Sequence, residues 1–85
     1  MSYRFRKAGR RQVEVPILLS DLEGNELTRG KSVDFSESGT KLQLSEEVDI
    51  PKRFILSISD GKVRRECELV WHTGTSLGAR FIKIG

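Results

Sequence analysis

The sequence contains few of the residues that support disulfide bonding, catalysis or membrane insertion. Its 85 residues include one cysteine, one histidine and two prolines, and 7% of them are aromatic. A single cysteine cannot form an internal disulfide, which indicates a reducing compartment, and we expect Cys67 to pack as a small apolar residue. No apolar run reaches the roughly 20 residues of a membrane-spanning helix, and the first residues lack the apolar centre of a signal peptide. We therefore expect one cytoplasmic domain without membrane insertion.

Residue groupings typical of active sites and metal sites are also missing from the sequence. We find no nucleophile paired with a base, no pair of catalytic carboxylates and no glycine-rich phosphate loop. His72 has no second histidine or cysteine at ligand spacing, so we predict no metal site. These absences favour a non-catalytic protein with no metal and no cofactor.

Positive charge is concentrated at the N terminus. The net charge of +3 divides into +5 for residues 1–12 and −2 for residues 13–85. Residues 1–12 also lack apolar periodicity, so we predict a flexible basic arm before a folded domain of residues 13–85. Such an arm attracts the phosphate groups of nucleotides, nucleic acids or membrane surfaces. Its basic residues are Arg4, Arg6, Lys7, Arg10 and Arg11.

Six segments show the alternation of apolar and polar residues that is typical of half-buried strands. Turn sequences such as Asp60-Gly61 separate them, and no segment repeats apolar residues at a helical period. Pro16, in the first segment, indicates an edge or the start of a strand. Six short strands with regular turns favour an antiparallel barrel or sandwich. The expected strands cover residues 13–19, 26–33, 40–44, 54–58, 66–72 and 77–81.

One stretch after the second predicted strand combines polar and apolar residues in a pattern suited to binding. In an extended chain Asp34 and Ser36 point to one face, while Val33 and Phe35 point towards the core. We expect Gly39 to adopt a positive φ, where the chain can reverse or a ligand can approach the backbone. The Asp34 carboxylate complements the N1–H and N2–H₂ donors of guanine. Taken alone, however, these residues are more typical of an ordinary Asx or Ser turn.

Two further features allow both a binding and a structural interpretation. The arm carries Arg6 and Arg10 in an R-x-x-x-R spacing, and an arginine fork can bind phosphate oxygens or the O6/N7 edge of guanine. By itself this spacing is more typical of a solvated basic tail. Trp71 is most often a core residue in so small a protein, but an exposed indole would be a flat platform for a nucleobase.

In combination, these elements resemble the PilZ domain, a bacterial receptor module for cyclic di-GMP. The resemblance extends from Arg6 to Phe81 and implies a six-stranded antiparallel β-barrel. It rests on the order of four elements: R-x-x-x-R before the first strand, Asp34-x-Ser36-x-x-Gly39 after the second, Leu69-Val70-Trp71, and Gly78-Ala79-Arg80-Phe81.

The resemblance implies a non-catalytic receptor that relays the signal of bound cyclic di-GMP to a partner protein. We expect the arm to be disordered without ligand and to close over the ligand when it binds. Arg11 can take the place of Arg10 if the arginine pair shifts by one residue. The implied primary contacts are Arg6, Arg10, Asp34, Ser36 and Gly39, and the secondary contacts are Arg11, Lys7 and Trp71.

Two other functions stay open. A small basic barrel could bind RNA or single-stranded DNA, but aromatic residues are few and the basic excess is confined to the arm, which disfavours nucleic acid. A PilZ-like barrel without ligand could mediate protein contacts alone, and the presence of both binding motifs counts against this function.

Overall fold

The structure, a computed structural model, describes residues 11–58 and 61–82, and all regular structure in these residues is β. The strands form a closed antiparallel barrel in the order β1-β2-β3-β6-β5-β4, which confirms the predicted six-stranded barrel. Within the described residues no helix is long and apolar enough to cross a membrane. The strands are β1 (Arg11–Ser20), β2 (Glu26–Phe35), β3 (Gly39–Leu44), β4 (Arg53–Ile58), β5 (Val63–Thr73) and β6 (Ser76–Phe81).

The first two strands extend beyond the ends that apolar alternation predicts. β1 begins at Arg11, two residues before its predicted start, and β2 continues through Phe35. Arg11 pairs with Phe35 and Gln12 pairs with Asp34, because backbone hydrogen bonds between strands do not require apolar side chains. The rest of the predicted arm, residues 1–10, lies outside the described residues.

Pro16 occupies a position in β1 that has a sheet neighbour on one side. The ladder to β2 passes through Pro16, which is opposite Lys31, whereas the ladder to β4 begins only at Ile17, opposite Ile58. A proline has no N–H to donate to a second neighbouring strand, so it is tolerated at such a position. The predicted edge or strand start is therefore not found, since β1 belongs to a closed barrel and Pro16 lies within it, and only the missing pairing with β4 at this residue resembles an edge.

The core lies inside the barrel and consists of apolar residues from every strand, with β2 contributing partly buried side chains. Cys67 is fully buried, and loss of solvation raises the pKa of its thiol to about 12. The thiol therefore stays protonated and packs as the small apolar residue that we predicted. The buried core residues are Ile17, Leu19, Leu42, Leu44, Ile50, Phe54, Leu56, Cys67, Leu77, Ala79 and Phe81.

A bulge in β2 changes which of its residues face the core. The pairing of β2 with β3 shifts between Ser32 and Asp34, so that Val33 is an extra residue without a partner in β3. As a result Ser32 is buried and Phe35, three residues later, packs against the core. Val33 is only half-buried and lies outside the core cluster, so its predicted core position is wrong.

A chain of buried hydroxyl groups ties β2 to β3 beside this bulge. Thr40 Oγ1 donates its only proton to the backbone carbonyl of Asp34, at 2.7 Å. Ser32 Oγ lies 2.6 Å from Thr40 Oγ1 and must therefore be the donor in that pair. Because both hydroxyls are paired, their burial carries no desolvation penalty for an unmatched polar group.

We expect the two hydroxyls to contribute unequally to stability. Ser32→Ala leaves Thr40 bonded to Asp34 and should cost about 1 kcal/mol, whereas Thr40→Val leaves a buried serine hydroxyl without its acceptor and should cost about 1–3 kcal/mol. The double variant should lose less than the sum of the two, because no unpaired serine remains. Urea unfolding of the three variants tests this. A larger loss for Ser32→Ala than for Thr40→Val would contradict the direction of donation, and strictly additive losses would contradict the hydrogen bond between the two hydroxyls.

Candidate functional site

A cleft of about 440 Å³ lies over four neighbouring strands, β2, β3, β6 and β5. Four of the predicted binding residues line it: Asp34, Ser36, Gly39 and Trp71. The fold therefore brings the Asp-Ser-Gly stretch to the same surface as a tryptophan more than 30 residues away in sequence.

The remaining predicted contacts belong to the arm. Arg6, Lys7 and Arg10 lie outside the described residues. Arg11 is the first residue of β1, where its backbone pairs with Phe35 of the cleft.

Cross-strand pairing sets the order of one row of residues along the cleft. Asp34 is opposite Lys41, Lys41 is opposite Gly78, and Gly78 is opposite Trp71. Because paired strands are about 4.8 Å apart, roughly 14 Å separates the backbone of Asp34 from that of Trp71. The row thus places a carboxylate at one end, an ammonium group beside it and an aromatic ring at the other end.

A second row lies two residues further along the strands. Gly39 is opposite Arg80, and Arg80 is opposite Glu68. The Arg80 guanidinium donates a hydrogen bond to the Glu68 carboxylate and lowers the pKa of that carboxyl below its usual range. The ammonium group of Lys52, 3.8 Å from Glu68, adds to this effect. Glu68 therefore stays ionised and positions Arg80 at the cleft, which Arg80 lines.

Trp71 is not a core residue, since 42% of its surface is exposed. A bulge in β5 explains its orientation: Leu69 is opposite Ala79 and Trp71 is opposite Gly78, which leaves Val70 as an extra residue. Leu69 packs against the core, and Trp71 lines the cleft instead of following Leu69 inward. The indole lies against Gly78, where a Cβ atom would collide with the indole nitrogen.

Gly39 does not adopt the positive φ that we predicted. The described glycines with positive φ are Gly24, Gly61 and Gly74, all in turns. Gly39 begins β3 at a point where β6 passes so close that a Cβ atom would collide with the carbonyl oxygen of Ala79. The residue is therefore required for close packing of two strands and not for a reversal of the chain.

Ser36 organises the turn between β2 and β3. Its N–H donates to the carbonyl of Gly39 at 2.9 Å, and its hydroxyl accepts from the N–H of Ser38 at 3.3 Å. The N–H of Phe81 in β6 donates to the carbonyl of Ser38 at 2.8 Å. The Ser-turn interpretation is thus correct for Ser36, and the turn fixes one end of the cleft to β6.

The lining residues that sequence reasoning did not name as site candidates include Lys41, Val70 and Arg80. Lys41 is a polar residue between the apolar positions of β3, a pattern that predicts exposure but not binding. Arg80 lies within the Gly-Ala-Arg-Phe motif, yet only the pairing with Gly39 places it at the cleft. Together with Asp34 and Trp71, these residues suit a ligand that carries both flat, hydrogen-bonding rings and negative charge.

The described residues contain no group of three histidine, cysteine or acidic side chains that could hold a metal ion. His72, which we expected to have no metal role, lies within hydrogen-bond distance of a backbone carbonyl: its Nε2 atom is 3.0 Å from the oxygen of Gly74. A carbonyl oxygen only accepts, so Nε2 carries the proton in this contact.

We expect Gly78→Ala to displace the indole of Trp71 and so to change its fluorescence. Trp71 is the only tryptophan in the chain, and a methyl group at position 78 occupies the space of its ring. The emission should shift to longer wavelength, with a stability loss of about 1–3 kcal/mol. Gly24→Ala is the control for the emission: its positive φ makes an alanine costly in stability, but no atom lies within 4 Å of the added methyl group and the emission should not change. Unchanged emission in Gly78→Ala would contradict the stacking described here.

Comparison with known proteins identifies one protein family that matches this chain. A family model for the PilZ domain matches residues 4–85, whereas no curated protein sequence gave a match. The matched range begins before Arg6 and contains every described residue of the cleft. Because the match covers nearly the whole chain and the barrel has six antiparallel strands, as the resemblance implied, the protein belongs to the PilZ domain family.

Proposed function

We propose that the protein is a non-catalytic receptor for cyclic di-GMP, which binds in the cleft over β2, β3, β6 and β5. PilZ domains are generally receptors for this ligand. The observation that carries the proposal is the convergence of Asp34, Ser36 and Gly39 with the exposed indole of Trp71 on one surface.

The chemistry of the cleft suits a ligand with two guanine bases and two phosphates. Asp34 can accept the N1–H and N2–H₂ donors of one guanine. Trp71 offers a face on which a base can stack, an interaction worth about 1–3 kcal/mol. Lys41 and Arg80 supply positive charge for the phosphates, and Arg80 can do so while Glu68 holds it because a guanidinium has five N–H donors.

The start of β1 supports a role for the arm in the same site. Gln12 pairs with Asp34, so the chain enters the barrel directly beside the cleft. Arg10 precedes Gln12 by two residues, which span at most about 7 Å of extended chain. Arg6 and Arg10 can therefore close over a ligand that lies on Asp34, with Arg11 and Lys7 as secondary contacts.

Binding would then act as a switch through the arm. Ordering a residue costs about 1–2 kcal/mol in backbone entropy, and residues 1–10, which precede β1, have few apolar side chains to offset this cost and carry four basic ones. A ligand with guanine edges and phosphates supplies hydrogen-bond acceptors for the arginines. The closed arm presents a new surface to a downstream protein partner.

We expect cyclic di-GMP to stabilise the protein and the motif variants to lose this effect. Ligand at about 100 times its dissociation constant adds about 2.7 kcal/mol, and each kcal/mol raises the Tm of a domain of this size by roughly 4–8 °C. Arg6→Ala and Arg10→Ala should each cost about 1–3 kcal/mol of binding if they contact guanine edges. Asp34→Ala should also weaken binding, but the remaining affinity should stay sensitive to salt because the arm is intact.

Matched controls separate this function from general charge effects. Lys62→Ala removes one positive charge at an exposed position outside the cleft and should bind like the unaltered protein. Arg11→Ala decides whether Arg10 or Arg11 is the second arginine of the motif. GMP and a short oligonucleotide serve as ligand controls. A Tm that saturating cyclic di-GMP does not change would overturn the proposal, and a shift with the oligonucleotide alone would favour nucleic acid.

We also expect the arm to gain order when the ligand binds. Backbone amides of residues 4–10, which precede β1, should exchange rapidly in the free protein and slowly in the complex, because the ligand provides guanine edges and phosphates for the arginines. Hydrogen exchange with and without cyclic di-GMP measures this directly. Strong protection in the free protein would mean that the site is preformed, and the closing mechanism would be wrong while the receptor function stands.

A further inference from the structure

A second cleft, of about 470 Å³, lies on the other side of the barrel. The first cleft is centred on β3 and β6. The second cleft is lined by residues of β5, β4, β1 and β2, which are neighbours on the opposite side of the barrel. In this row Arg64 is opposite Ser57, Ser57 is opposite Leu18, and Leu18 is opposite Arg29. The row therefore has an arginine at each end, with Ser57 and Leu18 between them.

Two buried hydroxyl groups in this cleft have no hydrogen-bond partner among residues 11–58 and 61–82. Ser20 and Ser57 are 6% and 7% exposed, both line the cleft, and neither side chain makes a hydrogen bond within the described part of the chain. The other buried polar residues, Thr28, Ser32 and Thr40, all have hydroxyl hydrogen bonds. A buried polar group without a protein partner is uncommon in native proteins, and these two hydroxyls are available to a bound ligand.

The charged side chains among the described residues that line the cleft are those of Arg29 and Arg64, while Glu26, opposite Ser20, lies outside the lining and pairs with Arg29. Arg64 is exposed and makes no ion pair with any described residue. Arg29 uses Nε and Nη2 for the Glu26 carboxylate, at 3.2 and 3.5 Å, and keeps the donors of Nη1. No acidic side chain is among the described residues that line the cleft. The polar side chains of the lining thus supply hydrogen-bond donors to an anion.

We infer that this second cleft binds a phosphate group. A phosphate has three terminal oxygens, which match the hydroxyls of Ser20 and Ser57 and the guanidinium of Arg64, whereas a carboxylate offers only two oxygens. Pro16 and Leu18 form an apolar wall that can contact the remainder of a phosphate ester. The inference uses none of the residues assigned to cyclic di-GMP and stands or falls separately from that function.

Amide chemical shifts of the full-length protein test this site. The protein is titrated in two separate experiments, one with inorganic phosphate and one with glycerol phosphate. We expect saturable changes in the amide chemical shifts of Ser20, Ser57 and Arg64 in at least one of the two titrations. Binding in only one titration shows whether the ligand is free phosphate or a phosphate ester. Binding in both titrations shows that the phosphate group itself is recognised. No shifts, or shifts confined to Asp34 and Gly39 in the first cleft, would overturn the inference.

Two neighbouring arginines provide a matched pair of variants. Arg64→Gln removes a cation that lines the cleft and should weaken phosphate binding about tenfold, because charge-assisted hydrogen bonds are strong. Arg65→Gln removes the same charge from a guanidinium that lies 4.5 Å over the Phe81 ring and outside the cleft, and binding should change little. Equal weakening in the two variants would indicate a general charge effect and no defined site.

A serine variant tests the unpaired hydroxyl itself. Ser57→Ala should weaken phosphate binding yet leave the free protein as stable as before or more stable, because the hydroxyl has no partner to lose. Ser32→Ala, whose hydroxyl bonds to Thr40, is the comparison and should destabilise the free protein. If Ser57→Ala destabilises the free protein to the same extent, the hydroxyl has a partner in the protein and the inference is wrong.

Discussion

Two bulges in the barrel decide which side chains face the candidate ligand site. Each adds one residue, Val33 in β2 and Val70 in β5, and so shifts the alternation of inward and outward positions. Ser32 and Phe35 both contribute to the interior as a result, while Trp71 is released from the face that Leu69 occupies. Without these bulges the closed barrel would not present the same residues along the cleft.

Closure of the barrel fixes the strand register, and the register sets the positions of the residues that line the cleft. Every strand pairs with two neighbours, so the register is fixed on both sides and the two rows across β2, β3, β6 and β5 have a defined order. Glycines allow the close contacts that this order requires. At Gly39 the backbone of β6 occupies the place of a side chain, and at Gly78 the indole of Trp71 does so. The platform for a flat ring therefore depends on a residue that has no side chain.

The two clefts differ in the way their polar groups are satisfied. Beside the first cleft, the hydroxyls of Ser32 and Thr40 are paired within the protein, and Glu68 holds Arg80. In the second, the hydroxyls of Ser20 and Ser57 are buried without partners in the described residues. The first surface is thus preorganised by the barrel itself, whereas the second lacks partners that a bound anion would supply.

The sequence alone determined the strand number, because alternation and turn residues are local, and the family, because the motifs lie in a recognisable order. Alternation left a barrel or a sandwich open, and the barrel followed from the family resemblance. It also identified Asp34 and Ser36, whose two-residue spacing is preserved on one surface. It could not give the bulge that removes Val33 from the core, the exposure of Trp71 or the φ of Gly39. These depend on bulges and on the close approach of β6, which arise only when distant strands pair. For the same reason tertiary structure alone placed Lys41 and Arg80 at the cleft, since cross-strand neighbours are far apart in the chain.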